Sequence, residues 1–279
     1  MGTKLNLILF LFMGMVSLHG QTITCKPVDK QLFDQKMAVL QKLEAESYGD
    51  TIVAIGKSFL ETPYVEKTLE VGEKETLVIN LRGFDCTTFV ENVLAFSHLL
   101  RNNEADFDAF VEKLETIRYR DGVLNGYPSR LHYFTEWIRN NNEKGMVKDM
   151  TPDLGGVELQ KPINFMGTHR DLYPFLADDD NFGAMLEVEE GLANETLCIL
   201  PQDGIQSQEH NIQNGDIIAL ATSIKGLDVT HTGFAIKVDG RLHLLHASSA
   251  GEVTITKEPL VDYLKKIKNN IGIIVARPL

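Results

Sequence analysis

The stretch GFDCTTFVENVLAF, residues 83–96, places a cysteine directly after an aspartate at the start of an apolar helical pattern. Apolar residues then recur at steps of three and four, and Asp85 is a suitable N-cap, so Cys86 is predicted to be the first helical residue. The free N–H groups and the dipole of a helix N-terminus lower the pKa of a thiol and can stabilise an oxyanion. The position therefore predicts a nucleophile. The alternative is a structural thiol, because free cysteine is among the most buried residue types.

Histidines in the last third of the chain could supply the base that such a nucleophile needs. In THTGFAIKV, residues 230–238, His231 shares a strand face with small residues, which are expected to leave room for the helix of Cys86. The turn DGR then brings His246, on the next strand, beside His231. We assign His231 as the general base and His246 as the residue that orients it. His243 points to the other strand face and is interpreted as a surface or satisfied histidine.

Two other ligand classes are disfavoured by the sequence. Zinc also binds cysteine and histidine, but His243 and His246 point to opposite faces and no carboxylate or second cysteine stands at ligand spacing. The sequence therefore predicts no metal, and nucleophilic catalysis by cysteine requires no cofactor. The formal charge of −12 disfavours a nucleic-acid partner, because a phosphate-binding surface needs a net basic face.

The elements that must position these residues follow an α+β order. Helical periodicity covers residues 29–61 and the helix after Asp85, whereas the last third holds short β-rich runs bounded by glycine and polar turn residues. Successive runs of this kind predict antiparallel strands behind a helical first part. Residues from about 104 to 200 are interpreted as a long insertion within one mature domain over 21–279. Within that insertion ADDDNFGAM, residues 177–185, is predicted to be a surface turn.

The N-terminus predicts export. An early lysine precedes an apolar run from about Leu5 to Leu18, shorter than the roughly 20 apolar residues that span a bilayer. This pattern is typical of a secretory signal peptide over residues 1–20, and it favours the periplasm or cell envelope without stable membrane insertion. Cys25 raises the alternative of a lipid anchor, which the preceding residues TIT disfavour.

The cysteine count bears on whether the nucleophile is free. The chain has three cysteines, and in an oxidising compartment an odd number leaves at least one thiol unpaired within the chain. A disulfide between Cys25 and Cys198 would leave Cys86 free. The sequence does not decide whether that disulfide forms.

Several short motifs in a fixed order resemble the NlpC-type papain-like cell-wall cysteine hydrolases. The fragments TPYV, DCTTFVE, GDIIAL, HTGFAI and HASS carry the resemblance across residues 62–249. It implies a papain-like core in which the helix of the nucleophile packs on an antiparallel sheet. It also implies that Tyr64 lies near Cys86, bordering the nucleophile together with Asp85, so that the Tyr64 hydroxyl could help to hold the oxyanion.

A segment of the insertion resembles the N-acetylmuramoyl-L-alanine amidase-like subgroup. The segment is GYPSRLHYFTEWI, residues 126–138, and it implies hydrolysis of the amide between N-acetylmuramic acid and L-alanine in muropeptides or peptidoglycan fragments. Arg130, His132 and Tyr133 sit together at a predicted helix start. Because arginine offers a bidentate fork to carboxylates and tyrosine a stacking face, these three are predicted to bind substrate. Trp137 falls on the apolar stripe of the same helix and is assigned to the core.

Two alternatives remain open at this point. The same catalytic residues could cleave the γ-D-glutamyl link to the diamino acid of the stem peptide, and only the Arg130 segment favours the amidase. The chain could also be a non-catalytic muropeptide-binding protein, because Thr87 and Thr88 stand where the family usually has Ser-Gly. An enzyme predicts a reactive thiol with a lowered pKa at Cys86, whereas a binding protein predicts an unreactive one.

Overall fold

A computed structural model describes residues 23–279, and the signal peptide predicted over residues 1–20 lies outside this described part. The described α-helices are α1 Pro27–Leu40, α2 Tyr48–Lys57, α3 Cys86–Asn102, α4 Phe107–Arg118, α5 Phe134–Glu143, α6 Phe165–Thr168, α7 Asp179–Leu192, α8 Gln202–Gln208 and α9 Leu260–Leu264. The described strands are β1 Ile23–Cys25, β2 Leu77–Ile79, β3 Val147–Asp149, β4 Val157–Gln160, β5 Thr196–Pro201, β6 Ile217–Thr222, β7 Val229–Val238, β8 Arg241–Ala247, β9 Val253–Ile255 and β10 Asn270–Pro278.

The main sheet is antiparallel throughout and has the order β4-β5-β10-β6-β7-β8-β9, with β3 also pairing to β10. A separate two-stranded sheet joins β1 to β2 in parallel. Helices combined with an antiparallel sheet confirm the predicted α+β class. Three strands of the middle segment belong to the main sheet, so this segment is not only loops and helices. The interpretation of residues 104–200 as an insertion in one mature domain stays a prediction.

Helix α3 begins where the sequence predicted, at Cys86. The Asp85 carboxylate accepts a hydrogen bond from the Thr88 N–H at 2.7 Å, and the Thr88 hydroxyl accepts one from the Asp85 N–H at 3.0 Å. This reciprocal capping box fixes the first turn. The helix ends at Asn102, and its C-cap Asn103 has a left-handed backbone with a φ of 56°. Asp85 is therefore confirmed as the N-cap.

The sheet is covered on both faces. Helix α3 packs on the face that carries Phe234, whose ring centroid lies 5.8 Å from that of Phe89, and this face belongs to the larger apolar cluster. Helices α8 and α9 cover the opposite face, where Ala235 and Leu244 pack in a second cluster. Burial of both faces explains why these strands are nearly continuous apolar runs.

The expectation that α3 approaches the face shared by His231 and Gly233 is wrong. That face turns away from α3 and toward the second cluster. Gly233 is small for a different reason, because a Cβ there would lie 2.7 Å from the Leu245 carbonyl oxygen and 2.8 Å from the His246 Cβ. The glycine therefore lets β7 and β8 pair closely.

Two features of the middle segment bear on the sequence predictions. Trp137 is fully buried, as its place on the apolar stripe of α5 predicted. The surface turn predicted over residues 177–185 is wrong, because Asp178 caps the helix α7 by accepting a hydrogen bond from the Asn181 N–H. Acidic residues in a first turn complement the helix dipole, so the run of aspartates starts a helix.

The three cysteines are all unpaired in the described part of the chain. Cys25 lies in β1 and Cys198 in β5, so the two thiols that could have formed a disulfide belong to different sheets. Over residues 23–279, no helix combines the length and the apolar character that crossing a membrane requires.

Candidate active site

Cys86 stands where the start of α3 meets β7. The Thr232 hydroxyl donates a hydrogen bond of 3.0 Å to the Cys86 carbonyl oxygen, which ties the first turn of the helix to the strand. Cys86 lines a cavity of about 120 Å³ together with Thr87, His132, Tyr133, Asp228 and His231, among others. We refer to this space as the Cys86 cavity.

His231 and His246 form a hydrogen-bonded pair. The Nε2 of His231 lies 2.5 Å from the Nδ1 of His246, and the two rings are nearly perpendicular, with centroids 4.8 Å apart. The hairpin of β7 and β8 thus brings the two residues together on one face. His243 lies on the other face and donates from Nδ1 to the Thr256 carbonyl oxygen at 2.8 Å, which confirms it as a satisfied histidine.

The pairing with His246 determines which His231 nitrogen can serve the thiol. Because Nε2 of His231 is occupied, Nδ1 is its free ring nitrogen. Cys86 and His231 line the same cavity, but no hydrogen bond joins their side chains in the described structure. The arrangement places a base candidate beside the nucleophile without a preformed bond between them. Catalytic hydrogen bonds often tighten only when substrate binds.

The titration properties of these residues contradict one expectation from the sequence. Burial, with a further contribution from the neighbouring Asp85 carboxylate, raises the pKa of the Cys86 thiol to about 11, although hydrogen bonds from Thr232 and Thr87 oppose this. Burial lowers the pKa of His231 to about 3 and that of His246 to about 4. The lowered thiol pKa expected of an enzyme is not found in the resting state, so an enzymatic mechanism at this site must remove the thiol proton as the sulfur attacks. At neutral pH the thiol and both imidazoles are uncharged.

Tyr64 lies close to the nucleophile. It pairs with Phe84, two residues before Cys86, in an isolated bridge, and the Tyr64 N–H donates to the Gly251 carbonyl oxygen at 2.7 Å. Burial and then the negative charge of a Cys86 thiolate raise the pKa of Tyr64 to about 12, so its hydroxyl remains protonated and can donate a hydrogen bond. Its part in an oxyanion hole stays a prediction. Asp85 contributes as the cap described above, with its carboxylate directed at the first turn of α3.

Tyr263 also borders this region and was not found from the sequence. Its ring centroid lies 5.7 Å from that of His246, at an interplanar angle of 76°. Burial and then the charge of a Cys86 thiolate raise its pKa, which places it near the nucleophile as well. No motif distinguishes a tyrosine in the short helix α9, so only the packing of that helix on the sheet reveals it.

Arg130 does not fit the predicted role of a carboxylate-binding residue. Only 7% of it is exposed, and its guanidinium faces Glu70 at 3.7 Å and Glu75 at 3.6 Å. It also lies over the Tyr127 ring, 4.9 Å from the centroid. Two internal carboxylates already occupy the guanidinium, so its contribution is to hold this segment in place. We correct the substrate-binding assignment of Arg130 for this physical reason.

Tyr133 is likewise engaged internally. Its hydroxyl donates to Glu189 at 2.6 Å and accepts from the Met166 N–H at 2.9 Å. The residue is the N-cap of α5, which begins at Phe134. The predicted helix start at Arg130 is therefore four residues too early. Tyr133 forms part of the wall of the Cys86 cavity, but with its hydroxyl satisfied and its ring almost fully buried it offers no open stacking face.

His132 is the residue of this segment that lines both cavities at the site. It is half-buried and lines both the Cys86 cavity and a neighbouring cavity of about 220 Å³. The second space is also lined by Glu70, and we call it the Glu70 cavity. Thr87 belongs to both cavities too, so the two spaces meet at Thr87 and His132.

Asp228 connects β7 to the start of α5 at the Cys86 cavity, and this role was not predicted from the sequence. Its carboxylate accepts hydrogen bonds from the N–H and the hydroxyl of Thr135, both at 2.8 Å, and from the Val229 N–H at 2.8 Å. An aspartate next to β7 thereby caps α5 across 93 residues of sequence. Within residues 23–279, no group of three or more histidine, cysteine, aspartate or glutamate side chains could hold a metal ion.

Comparison with protein families identifies the chain's relatives. A family model described as AmiA-like, N-acetylmuramoyl-L-alanine amidase-like, matches residues 54–273. This chain belongs to the AmiA-like family. The matched range includes Cys86, the His231–His246 pair and the whole middle segment. No curated protein matches the sequence.

Solved structures resemble this AmiA-like chain over most of its length. An N-acetylmuramoyl-L-alanine amidase from Bacteroides uniformis is 38% identical, with a TM-score of 0.80, and the match covers 83% of this chain and 99% of that one. A candidate xylanase from Bacteroides fragilis is 42% identical, with a TM-score of 0.76 and coverages of 80% and 98%. A Legionella pneumophila protein is 22% identical, with a TM-score of 0.66 and coverages of 90% and 96%, and shares the fold.

Proposed function

We propose that this AmiA-like chain is a cysteine amidase that hydrolyses the N-acetylmuramoyl-L-alanine bond of muropeptides. The observation that carries the proposal is the Cys86 cavity, where the first residue of a capped helix meets a histidine held by a second histidine at 2.5 Å. The family and the Bacteroides uniformis amidase support this choice of bond. We further propose that α3 and the antiparallel sheet form a papain-like core of the NlpC type.

The first half of the reaction forms an acyl-enzyme. The Cys86 thiol passes its proton to Nδ1 of His231 as the sulfur attacks the lactyl carbonyl carbon. Negative charge develops on the carbonyl oxygen, and the Cys86 N–H, which has no partner inside the helix, donates to it. The Tyr64 hydroxyl is proposed as a second donor. The proton on His231 then moves to the amide nitrogen, the C–N bond breaks, and the peptide leaves with a free L-alanine amine.

The second half regenerates the thiol. Water attacks the thioester carbonyl while His231 accepts one of its protons, and that proton passes to the Cys86 sulfur as the C–S bond breaks. The muramic acid carboxyl group keeps the second proton of the water and loses it to solvent after release. His246 accepts a hydrogen bond from the Nε2–H of His231 in every step, which keeps Nδ1 aimed at the reacting atoms. Because burial disfavours the imidazolium, His231 holds the proton only briefly and is a strong acid toward the departing amine.

A glycosidase activity fits this site less well than amide hydrolysis. Glycosidases of the common type need two carboxyl groups that flank the scissile bond. Among the residues that line the Cys86 cavity, Asp228 is the one carboxylate, and both of its oxygens accept hydrogen bonds from Thr135 and Val229. The description of the Bacteroides fragilis relative therefore has no counterpart in the chemistry of this cavity.

The cellular setting is part of the proposal. A signal peptide over residues 1–20 would deliver the mature chain to the periplasm or cell envelope, where peptidoglycan fragments are present. Soluble muropeptides are the proposed substrates, and no cofactor is required because the thiol, the imidazole and water supply every atom that moves.

The decisive experiment is mass spectrometry of purified muropeptides after incubation with the mature protein, beside a Cys86→Ala control. We expect free stem peptide that starts at L-alanine, together with the free muramyl sugar. Release of a muramyl dipeptide would instead assign the same residues to γ-D-glutamyl–diamino-acid cleavage. Absence of any product would contradict both enzymatic functions and leave muropeptide binding as the function to test.

A further inference from the structure

His132 has a defined tautomer because of its contact with Tyr127. Its Nε2 lies 2.9 Å from the Tyr127 carbonyl oxygen, and a carbonyl can only accept. Nε2 must therefore carry the hydrogen, and Nδ1 of the neutral ring is left with an unshared electron pair. This follows from the chemistry of the partner and does not depend on a visible proton.

The ring of His132 is held in one orientation. It lies 4.4 Å, centroid to centroid, from the Tyr127 ring, which packs in turn against Phe175 at 5.3 Å. The guanidinium of Arg130 covers Tyr127 from 4.9 Å and is itself fixed by Glu70 and Glu75. A side chain supported this way loses little further entropy when a ligand binds.

The charge around His132 keeps the ring neutral. Burial and then the Arg130 cation hold the pKa of His132 well below its usual range, and the hydrogen bond to Tyr127 compensates only in part. A proton on Nδ1 would place a second cation close to Arg130. The neutral ring keeps its unshared electron pair on Nδ1, which can therefore act as an acceptor.

We infer that His132 is a specificity-determining residue whose Nδ1 accepts a hydrogen bond from an amide N–H of the substrate. His132 lines both the Cys86 cavity and the Glu70 cavity, so a substrate with its scissile bond at Cys86 and its remainder in the Glu70 cavity passes this residue. The inference rests on the proposed function. When a bound substrate covers this acceptor, an analogue without the N–H leaves it unpaired, which gives strong discrimination.

Two amide N–H groups of the proposed substrate flank the scissile amide, one on each side, and could supply the donor. One belongs to the acetamido group of the muramyl sugar, and the other joins L-alanine to the second residue of the stem peptide. The probes are an N-acetylmuramoyl tripeptide, its analogue with acetoxy in place of acetamido, and its analogue methylated on the second peptide nitrogen. Each analogue removes one donor and leaves the scissile amide intact.

Binding should be measured by calorimetry in a Cys86→Ala background, which separates recognition from turnover. His132→Gln and His132→Asn are a matched pair, because the glutamine amide reaches the position of Nε2 and the asparagine oxygen the position of Nδ1. We expect His132→Gln to weaken binding of the parent tripeptide about 10-fold, and His132→Asn to stay within about threefold. One analogue should lose about 10-fold against Cys86→Ala and nothing further against Cys86→Ala/His132→Gln.

The outcomes separate this inference from the proposed function. Equal binding of the parent to Cys86→Ala and to Cys86→Ala/His132→Gln would overturn the inference, and so would the same loss for each analogue with and without His132. Failure of the parent to bind Cys86→Ala at all would also overturn it. Binding that depends on His132, without cleavage by the unaltered enzyme, would contradict the amidase alone.

Discussion

Strand β7 and the segment that leads into α5 each bring one histidine to the Cys86 cavity. The two histidines differ in their hydrogen-bond partners and in the charges that surround them. His231 and His132 both use Nε2 for an internal hydrogen bond and both leave Nδ1 free. The partner of His231 is another imidazole, whereas the partner of His132 is a backbone carbonyl in a segment that also carries Arg130. Burial lowers the pKa of both rings. At His231 the further contribution comes from His246, whereas at His132 it comes from the Arg130 guanidinium, which is always charged.

This difference shows how one side-chain type acquires two functions within one cavity. A base must tolerate a positive charge in the transition state, and a nearby guanidinium makes that charge more costly. A recognition group needs a lone pair that stays unprotonated over the working pH range, and the same guanidinium ensures it. The neighbours of each ring, more than its own chemistry, therefore separate catalysis on β7 from recognition on the segment.

Removal of the nucleophile should cause the largest loss of activity. We expect Cys86→Ala to lower kcat at least about 10³-fold, because no other group in the cavity can form the acyl-enzyme. The melting temperature should change little, since the capping box of Asp85 and Thr88 is intact. Cys198→Ala is the matched control, a half-buried free thiol in another part of the sheet, and should keep its activity. Product release is followed by chromatography, and retained activity in Cys86→Ala would rule out the assignment.

The contribution of His246 should be the next largest. His246→Ala removes the group that orients His231, and kcat is expected to fall about 10²-fold with KM little changed. His246→Asn restores an acceptor near the position of Nδ1 and should recover part of the loss. His243→Gln, on the opposite face of the same strand, is the control for general damage to β8. If His246→Ala and His243→Gln lost activity equally, the orienting role would be refuted.

The raised thiol pKa predicts how alkylation depends on pH. A pKa of about 11 means that the thiolate fraction of Cys86 is small at neutral pH and grows about tenfold per pH unit until the pH approaches that value. Iodoacetamide labelling of Cys86, measured by mass spectrometry from pH 6 to 10, should rise accordingly, in contrast to the acid-side labelling of a thiolate–imidazolium pair. Asp85→Asn removes the carboxylate that raises this pKa and keeps a cap acceptor, so labelling at each pH should be faster. A rate that is already constant at pH 6 would contradict this prediction.

The smallest effect is expected from changes at Asp228, which joins β7 to the start of α5. Asp228→Asn weakens the hydrogen bonds to Thr135 that hold the start of α5 against β7, and should cost about 1–2 kcal/mol of unfolding free energy. The segment that carries His132 should become less well positioned for substrate binding. KM should therefore rise a few-fold, while kcat, which depends on Cys86 and His231, changes little. Thr135→Val removes one of the two donors and should show a weaker form of the same effect. A fall in kcat without a change in KM would mean that Asp228 acts on the catalytic residues instead.

The positions of the proposed catalytic residues could be predicted because the sequence patterns that indicate them are local. A capping aspartate, a helical apolar pattern and alternation along two strands joined by a tight turn are sufficient to place Cys86, His231 and His246 on their elements. The face on which α3 packs could not be predicted. Both faces of β7 are apolar, and the glycine beside His231 accommodates a strand and not a helix.

The segment before α5, which carries Arg130 and His132, was predicted less well because it contacts residues that are far away in sequence. The partners of Arg130 are 55 and 60 residues away in sequence, at Glu75 and Glu70, and local composition does not show that its guanidinium is already neutralised. The thiol pKa failed for a similar reason. The helix N-terminus is visible in the sequence, but the burial that outweighs it depends on how the whole chain closes around Cys86.

The position of β10 in the sheet constrains the order in which the protein can fold. This strand follows all the other described strands along the chain, yet it pairs with β5 on one side and with β6 on the other. Until it is synthesised, the β4–β5 pair and the β6–β9 group share no hydrogen-bonded neighbour in the sheet. The two halves would expose unpaired strand edges during that interval, when such edges invite aggregation. Completion of the sheet is therefore a late event in biogenesis, and a chain truncated before residue 270 should fail to fold.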